Sequence, residues 1–146
     1  MSNHASIIAA VLLAAASGAF AKTSCPAGVT GAVIKAHPGA RIVSCKAEKE
    51  KGKSQYEIKI KSGKTLMELD VAPDGAILQT EQKVAMASVP VQVMSAFSAR
   101  YPKAKATRAE KQTLADGKVT YELAFRRGRK RQEATFDEVG KFIEEE

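Results

Sequence analysis

The sequence predicts an α+β protein: two tandem copies of a helix followed by about four antiparallel strands, forming one curved antiparallel sheet with both helices on one face. Three observations carry that expectation. Glycines, prolines and tyrosines recur at an offset of 64 to 65 residues, so that His37-Pro38 answers Tyr101-Pro102, Gly52 answers Gly117, Tyr56-Glu57 answers Tyr121-Glu122 and Gly75 answers Gly140. Apolar residues alternate with charged ones over several short runs, the period-two signature of strands with one buried face. Each copy has only about 60 residues, which alone bury a thin core, so the copies are expected to share one sheet.

Along the chain, the first 21 residues stand apart. Ile7 to Ala16 is an unbroken apolar run and Ala19-Phe20-Ala21 fits a small-residue cleavage pattern, so 1–21 read as a secretory signal with the mature chain starting at Lys22. The run is shorter than the roughly 20 apolar residues that span a bilayer. Residues 22–84 then make the first repeat and 85–146 the second.

A helix is expected from about Pro26 to His37 on Val29, Val33 and Ala36. A stronger one is expected from about Val89 to Tyr101, where Val93, Phe97 and Tyr101 share one face, Ser88 is placed to cap and Pro90 suits the first turn. Pro38 and Pro102 disfavour helix in the residue before them and end both. Strands are expected at Arg41–Ala47, around Tyr56-Ile58-Ile60 and Met67-Leu69-Val71, and at Ala76–Gln82. Their counterparts lie at Ala106–Lys111, Tyr121-Leu123-Phe125, Ala134-Phe136 and Lys141–Glu144. Ser62-Gly63-Lys64, Arg127-Gly128-Arg129 and Pro73-Asp74-Gly75 supply turns. Tyr56 and Tyr121 are expected in the core. Glu57, Lys59, Lys61, Glu68, Asp70, Glu122, Arg126, Glu133 and Asp137 are expected on a solvated face, where cross-strand pairs of mixed sign stabilise the sheet.

Composition narrows the function. The 146 residues carry 23 Lys+Arg against 16 Asp+Glu, a net +7, with two His, two Cys and no Trp. A nucleophile needs a base held by a third group, yet His4 leaves with the signal and His37 stands at a helix end beside a proline. No cysteine and histidine cluster has zinc spacing and no glycine-rich loop is shaped for phosphate, so no catalytic residue, metal or cofactor is expected. Export places Cys25 and Cys45 in an oxidising compartment, where an even count predicts a structural disulfide. Closing that loop of about 19 residues stabilises by roughly 3 kcal/mol on chain entropy. Free or intermolecular thiols are the alternative, and a redox pair would usually show C-x-x-C spacing.

The candidate partner-binding residues are basic. Lys59 and Lys61 flank the first copy's hairpin, and Arg126, Arg127, Arg129, Lys130 and Arg131 crowd the second copy's hairpin. They admit two partners: an exported or envelope protein held on the sheet face and hairpin loops, or an anionic envelope component bearing lipid or polysaccharide phosphates. Nucleic acid is a poor fit, since export removes the usual targets and no aromatic stacking side chains punctuate the basic run. No transmembrane segment is expected after signal cleavage.

The helix endings His37-Pro38-Gly39-Ala40 and Tyr101-Pro102-Lys103-Ala104, the Gly-x3-Tyr-Glu runs Gly52 to Glu57 and Gly117 to Glu122, and the strand and turn Leu69 to Gly75 occur in fixed order. This pattern, from about residue 27 to the end, resembles the PepSY-like family, which is similar to the β-lactamase inhibitor protein fold. The resemblance implies an exported, non-catalytic binding domain, with inhibition of a peptidase or other enzyme as the role suggested for relatives. The second copy departs from it at Asp137-Glu138-Val139-Gly140, where the first has Asp74-Gly75.

Overall fold

The computed structural model describes residues 25–146. The secretory signal, its cleavage before Lys22 and His4 lie outside the described residues. Prolines bracket both helices. Pro26 takes the N-cap position of α1 (Ala27–Ala36) and Pro90 that of α2 (Val91–Arg100), while Pro38 and Pro102 stand just beyond the C-caps His37 and Tyr101. Each C-cap amide donates to the carbonyl four residues back, His37 to Val33 at 2.9 Å and Tyr101 to Phe97 at 2.8 Å. Ser88 does not cap α2. It closes a short 3-10 turn, Met86–Ser88, and the extended Pro90 starts the helix two residues later with no side-chain cap.

Strands β1 (Arg41–Glu50), β2 (Lys53–Ser62), β3 (Thr65–Val71) and β4 (Ile77–Val84) follow α1, and β5 (Arg108–Leu114), β6 (Val119–Arg127), β7 (Lys130–Asp137) and β8 (Phe142–Glu145) follow α2. All pair antiparallel in sequence order in one eight-stranded sheet. The expectation of two tandem helix-plus-four-strand copies is corrected accordingly: the α+β class stands, but the architecture is a single sheet with two helices. The reason lies at its middle. Six residue pairs, from Gln79↔Leu114 to Val84↔Ala109, join β4 to β5. Left apart, each would present a row of unpaired backbone donors and acceptors, which a folded chain avoids.

Both helices cover one face. Val29 and Val33 of α1 pack on Ile58, Ile60, Leu69 and Val71, while Val93 and Phe97 of α2 pack on Tyr121, Leu123, Phe125 and Phe136. The ladders carry Ile58 through Leu69, Thr80 and Thr113 to Val119, so these residues share that face. Turns hold the helices close. At Gly140 (φ +89°) a Cβ would lie 2.6 Å from the carbonyl oxygen of Gln92 on α2, so no other residue fits without moving the helix. Tyr121 is buried as expected, but Tyr56 is only half-buried because it borders Ala47 on the edge strand β1. The Cys25–Cys45 bridge forms, with Cα atoms 5.8 Å apart, and ties the start of α1 to β1.

The sheet is strongly curled. Lys51, in the turn between β1 and β2, reaches Glu144 on β8, Nζ to Oε2 3.3 Å. In a flat sheet at about 4.8 Å per strand the same residues would stand roughly 30 Å apart, more than two side chains can span. The turn itself is tight, with positive φ at both Lys51 (48°) and Gly52 (81°), the backbone a two-residue hairpin requires.

Candidate functional site

Curling turns the helix-free face into a cavity of about 360 Å³. The solvated face of mixed sign expected from the alternation is corrected in part: cross-strand pairs such as Lys59–Glu68 form, but the face is concave, partly buried and rich in carboxylates. Of the 16 carboxylates in the sequence, ten line this cavity, beside one lysine, Lys51. The chain as a whole is cationic, so the charge is segregated.

Register sets the carboxylates against one another. Glu57 stands directly opposite Asp70, Glu68 opposite Glu81, and Glu110 opposite Glu122. Like charges directly opposed in a sheet destabilise it by roughly 0.2–1 kcal/mol per pair. Two cations offset part of this. Lys59 Nζ lies 3.0 Å from Glu68 and 3.6 Å from Glu57. Arg108 reaches Glu133 at 2.7 Å, Glu110 at 3.5 Å and Glu122 at 3.9 Å.

A buried amide organises the centre. Gln112, 7% exposed, donates from Nε2 to Glu81 at 3.1 Å and to Glu122 at 3.3 Å, while its Oε1 accepts from the Thr120 hydroxyl at 2.8 Å. Gln79 donates to the same Glu81 oxygen at 2.5 Å. Asp70 differs: among the described residues its carboxylate has no ion pair and no side-chain hydrogen bond. Burial, and then the charge of Glu81, push it up to about 7. Burial followed by Glu133 and Glu81 push Glu122 up to about 7 as well, against the opposing pull of Arg108. Burial also raises Glu81. Near neutral pH the cavity thus holds carboxyl groups part-way through ionisation, which an incoming cation would drive to completion.

The predicted basic residues separate into two places. Lys59 lies inside the concave face, committed to Glu68 and Glu57. Lys61 is at the end of β2, and Arg126, Arg127, Arg129, Lys130 and Arg131 surround the β6–β7 turn at the same end of the sheet. There Arg127 lies 3.4 Å from Glu145, whose other oxygen accepts from the Tyr101 hydroxyl at 2.5 Å, and Arg131 lies 3.3 Å from Glu133. His37 is a helix cap. Among the described residues no group of three or more His, Cys, Asp or Glu is arranged to hold a metal ion. No described helix is long and apolar enough to cross a membrane.

The sequence matches no family model and no curated protein. The fold does match solved structures. A candidate periplasmic protein from Bacteroides eggerthii aligns at TM-score 0.68 and 13% identity over 84% of this chain and 88% of its own. A DUF2874 family protein from Bacteroides uniformis aligns at 0.69 and 15% over 84% and 89%. A BLIP-like protein from Bacteroides fragilis aligns at 0.63 and 18% over 85% and 88%. At such identities the likeness establishes the fold, a BLIP-like antiparallel sheet with two helices on one side. The periplasmic description of one neighbour agrees with the periplasmic or secreted location that the first 21 residues predict.

Proposed function

We propose that this chain is an exported, non-catalytic PepSY-like binding protein whose concave sheet face receives a basic segment of a partner protein. One observation carries the reading: three directly opposed carboxylate pairs are kept in a half-buried concave face of a cationic chain. Such pairs cost stability, and a ligand's ammonium or guanidinium groups would relieve them. Inhibition of a peptidase or another envelope enzyme, as the PepSY-like resemblance implies, is one form this binding takes if the basic segment belongs to that enzyme. The sequence alone points to the sheet face and its basic hairpins as the contact; the concave carboxylates favour a basic partner for this face.

The test is calorimetric titration of residues 22–146 with a lysine- and arginine-rich peptide and with an uncharged peptide of the same length. The basic peptide is expected to bind and the uncharged one not. Replacing Asp70→Asn and Glu122→Gln together should weaken binding about tenfold, the loss of two partly screened charge contacts. Lowering the pH from about 8 to about 5.5 should weaken it too, since both groups then hold protons. Equal binding of both peptides, or an unaffected double variant, would sink the reading.

A further inference from the structure

The two ends of the sheet carry different charge. Because the strands alternate in direction, four connections gather at the end where β2 passes to β3 and β6 to β7: residues 37–40, 63–64, 101–107 and 128–129. They hold Lys64, Lys103, Lys105 and Arg129 and no Asp or Glu. At the opposite end Lys51, Lys118 and Lys141 are matched by Asp74, Asp116 and Glu138 in the connections. Strand termini extend the basic end with Lys61, Arg126, Arg127, Lys130 and Arg131, against Glu145 at the end of β8, which pairs with Arg127.

Most of these cations are uncommitted. Among the described residues only Arg127 and Arg131 of the β6–β7 hairpin make ion pairs, whereas Arg126, Arg129 and Lys130 make none, nor do Lys61, Lys64, Lys103 and Lys105. The two basic hairpins lie four strand positions apart along the curled sheet. Leu66, paired across the strands with Lys61 beside the β2–β3 turn, is 54% exposed on the concave face.

We propose that this basic end docks on the phosphate-bearing surface of an anionic phospholipid bilayer. The spread of the charges selects the ligand. Exposed cations on long side chains, spread over both hairpins and the connections beside them and not confined to the open pocket lined by Arg100, Lys103, Arg126 and Arg127, suit a plane of negative charge better than one soluble phosphate. Orientation follows from the same segregation, because the carboxylate-lined face is repelled by an anionic surface and turns aside from it. The residues differ from those of the concave site, so the two readings stand or fall separately.

The experiment is co-sedimentation of residues 22–146 with vesicles of equal parts phosphatidylglycerol and phosphatidylcholine, against phosphatidylcholine alone. Binding is expected to the first only and to fade as salt is raised above about 0.15 M. Each lysine or arginine near such a surface contributes roughly fivefold in partitioning. The triple variant Arg126→Ser, Arg129→Ser, Lys130→Ser should therefore lose about 100-fold. A control triple at the other end, Lys53→Ser, Lys118→Ser, Lys141→Ser, has the same net charge and should lose far less, with circular dichroism verifying that both fold. Equal losses would reduce the effect to net charge and overturn the proposal. So would absence of binding to the anionic vesicles, or its abolition by millimolar inorganic phosphate at constant ionic strength, which would identify a soluble-phosphate site instead.

Discussion

Under α2, Phe97 meets Tyr101 at 5.2 Å between ring centroids, Phe125 at 5.3 Å and Phe136 at 6.4 Å, the last two edge-on. Under α1 the buried cluster is Val29, Val33, Ile58, Ile60, Leu69 and Val71, with no buried ring. That aliphatic side carries the Cys25–Cys45 bridge instead. Aromatic side chains bury about 150–250 Å² each and add a preferred geometry, so one end of the core holds its helix by packed area and the other by a covalent tie. The difference teaches that a helix on a thin core needs a second anchor, and that the anchor depends on what the local side chains supply.

The largest expected effect tests the aromatic side. Phe97→Ala removes the ring on which three others converge and should cost about 3–5 kcal/mol, against about 2 kcal/mol for Val33→Ala at the matching place on α1. Urea unfolding measures both, and equal costs would break the comparison. Next comes the tie. Replacing Cys25→Ser and Cys45→Ser together should cost about 2–4 kcal/mol. Amide exchange should then show lost protection in α1 and β1 while α2 and β5–β8 keep theirs. Uniform loss would mean that the bridge supports the sheet as a whole.

Much of this organisation was legible in the sequence, and the limits have physical causes. Helix ends were marked by Pro38 and Pro102, and the disulfide by two cysteines in a chain whose first 21 residues read as an export signal. The reach of β1 was not: it runs to Glu50, beyond the expected Ala47, because Lys51-Gly52 makes a two-residue turn with none of the Asn-Gly or Asp-Gly signal that usually announces one. Nor was the concave site. Alternation tells which residues share a face, but not which face curls inward or which residue stands opposite which. Glu81, Glu110 and Gln112 lie on the two strands that join the halves, and only the β4–β5 pairing brings them together. The net charge of +7 pointed away from an acidic site because the cations lie elsewhere.

The smallest expected effect sharpens the comparison at the concave face, where β3 contributes Asp70 and β6 contributes Glu122. Both are held up at about 7 in the folded chain, above the ordinary carboxylate range near 4. Between about pH 4 and 7 the folded state therefore keeps protons that the unfolded chain has released, so stability falls as pH rises through that window and is lowest above it. After allowance for the solvent these half-buried groups retain, the two together amount to about 1–2 kcal/mol, or a few degrees in Tm for a chain of this length. The shares should be unequal. Glu122 is partly compensated by Arg108 at 3.9 Å and Gln112 at 3.3 Å, whereas Asp70 has no such partner among the described residues. Asp70→Asn should therefore raise Tm at about pH 8 and flatten its dependence on pH, with Glu122→Gln doing less because its substitution also disturbs the Gln112 network. Thermal melts of both variants from about pH 5 to 8 decide it: equal shifts would mean that burial alone, and not the presence of partners, sets the cost of each carboxylate in the cavity.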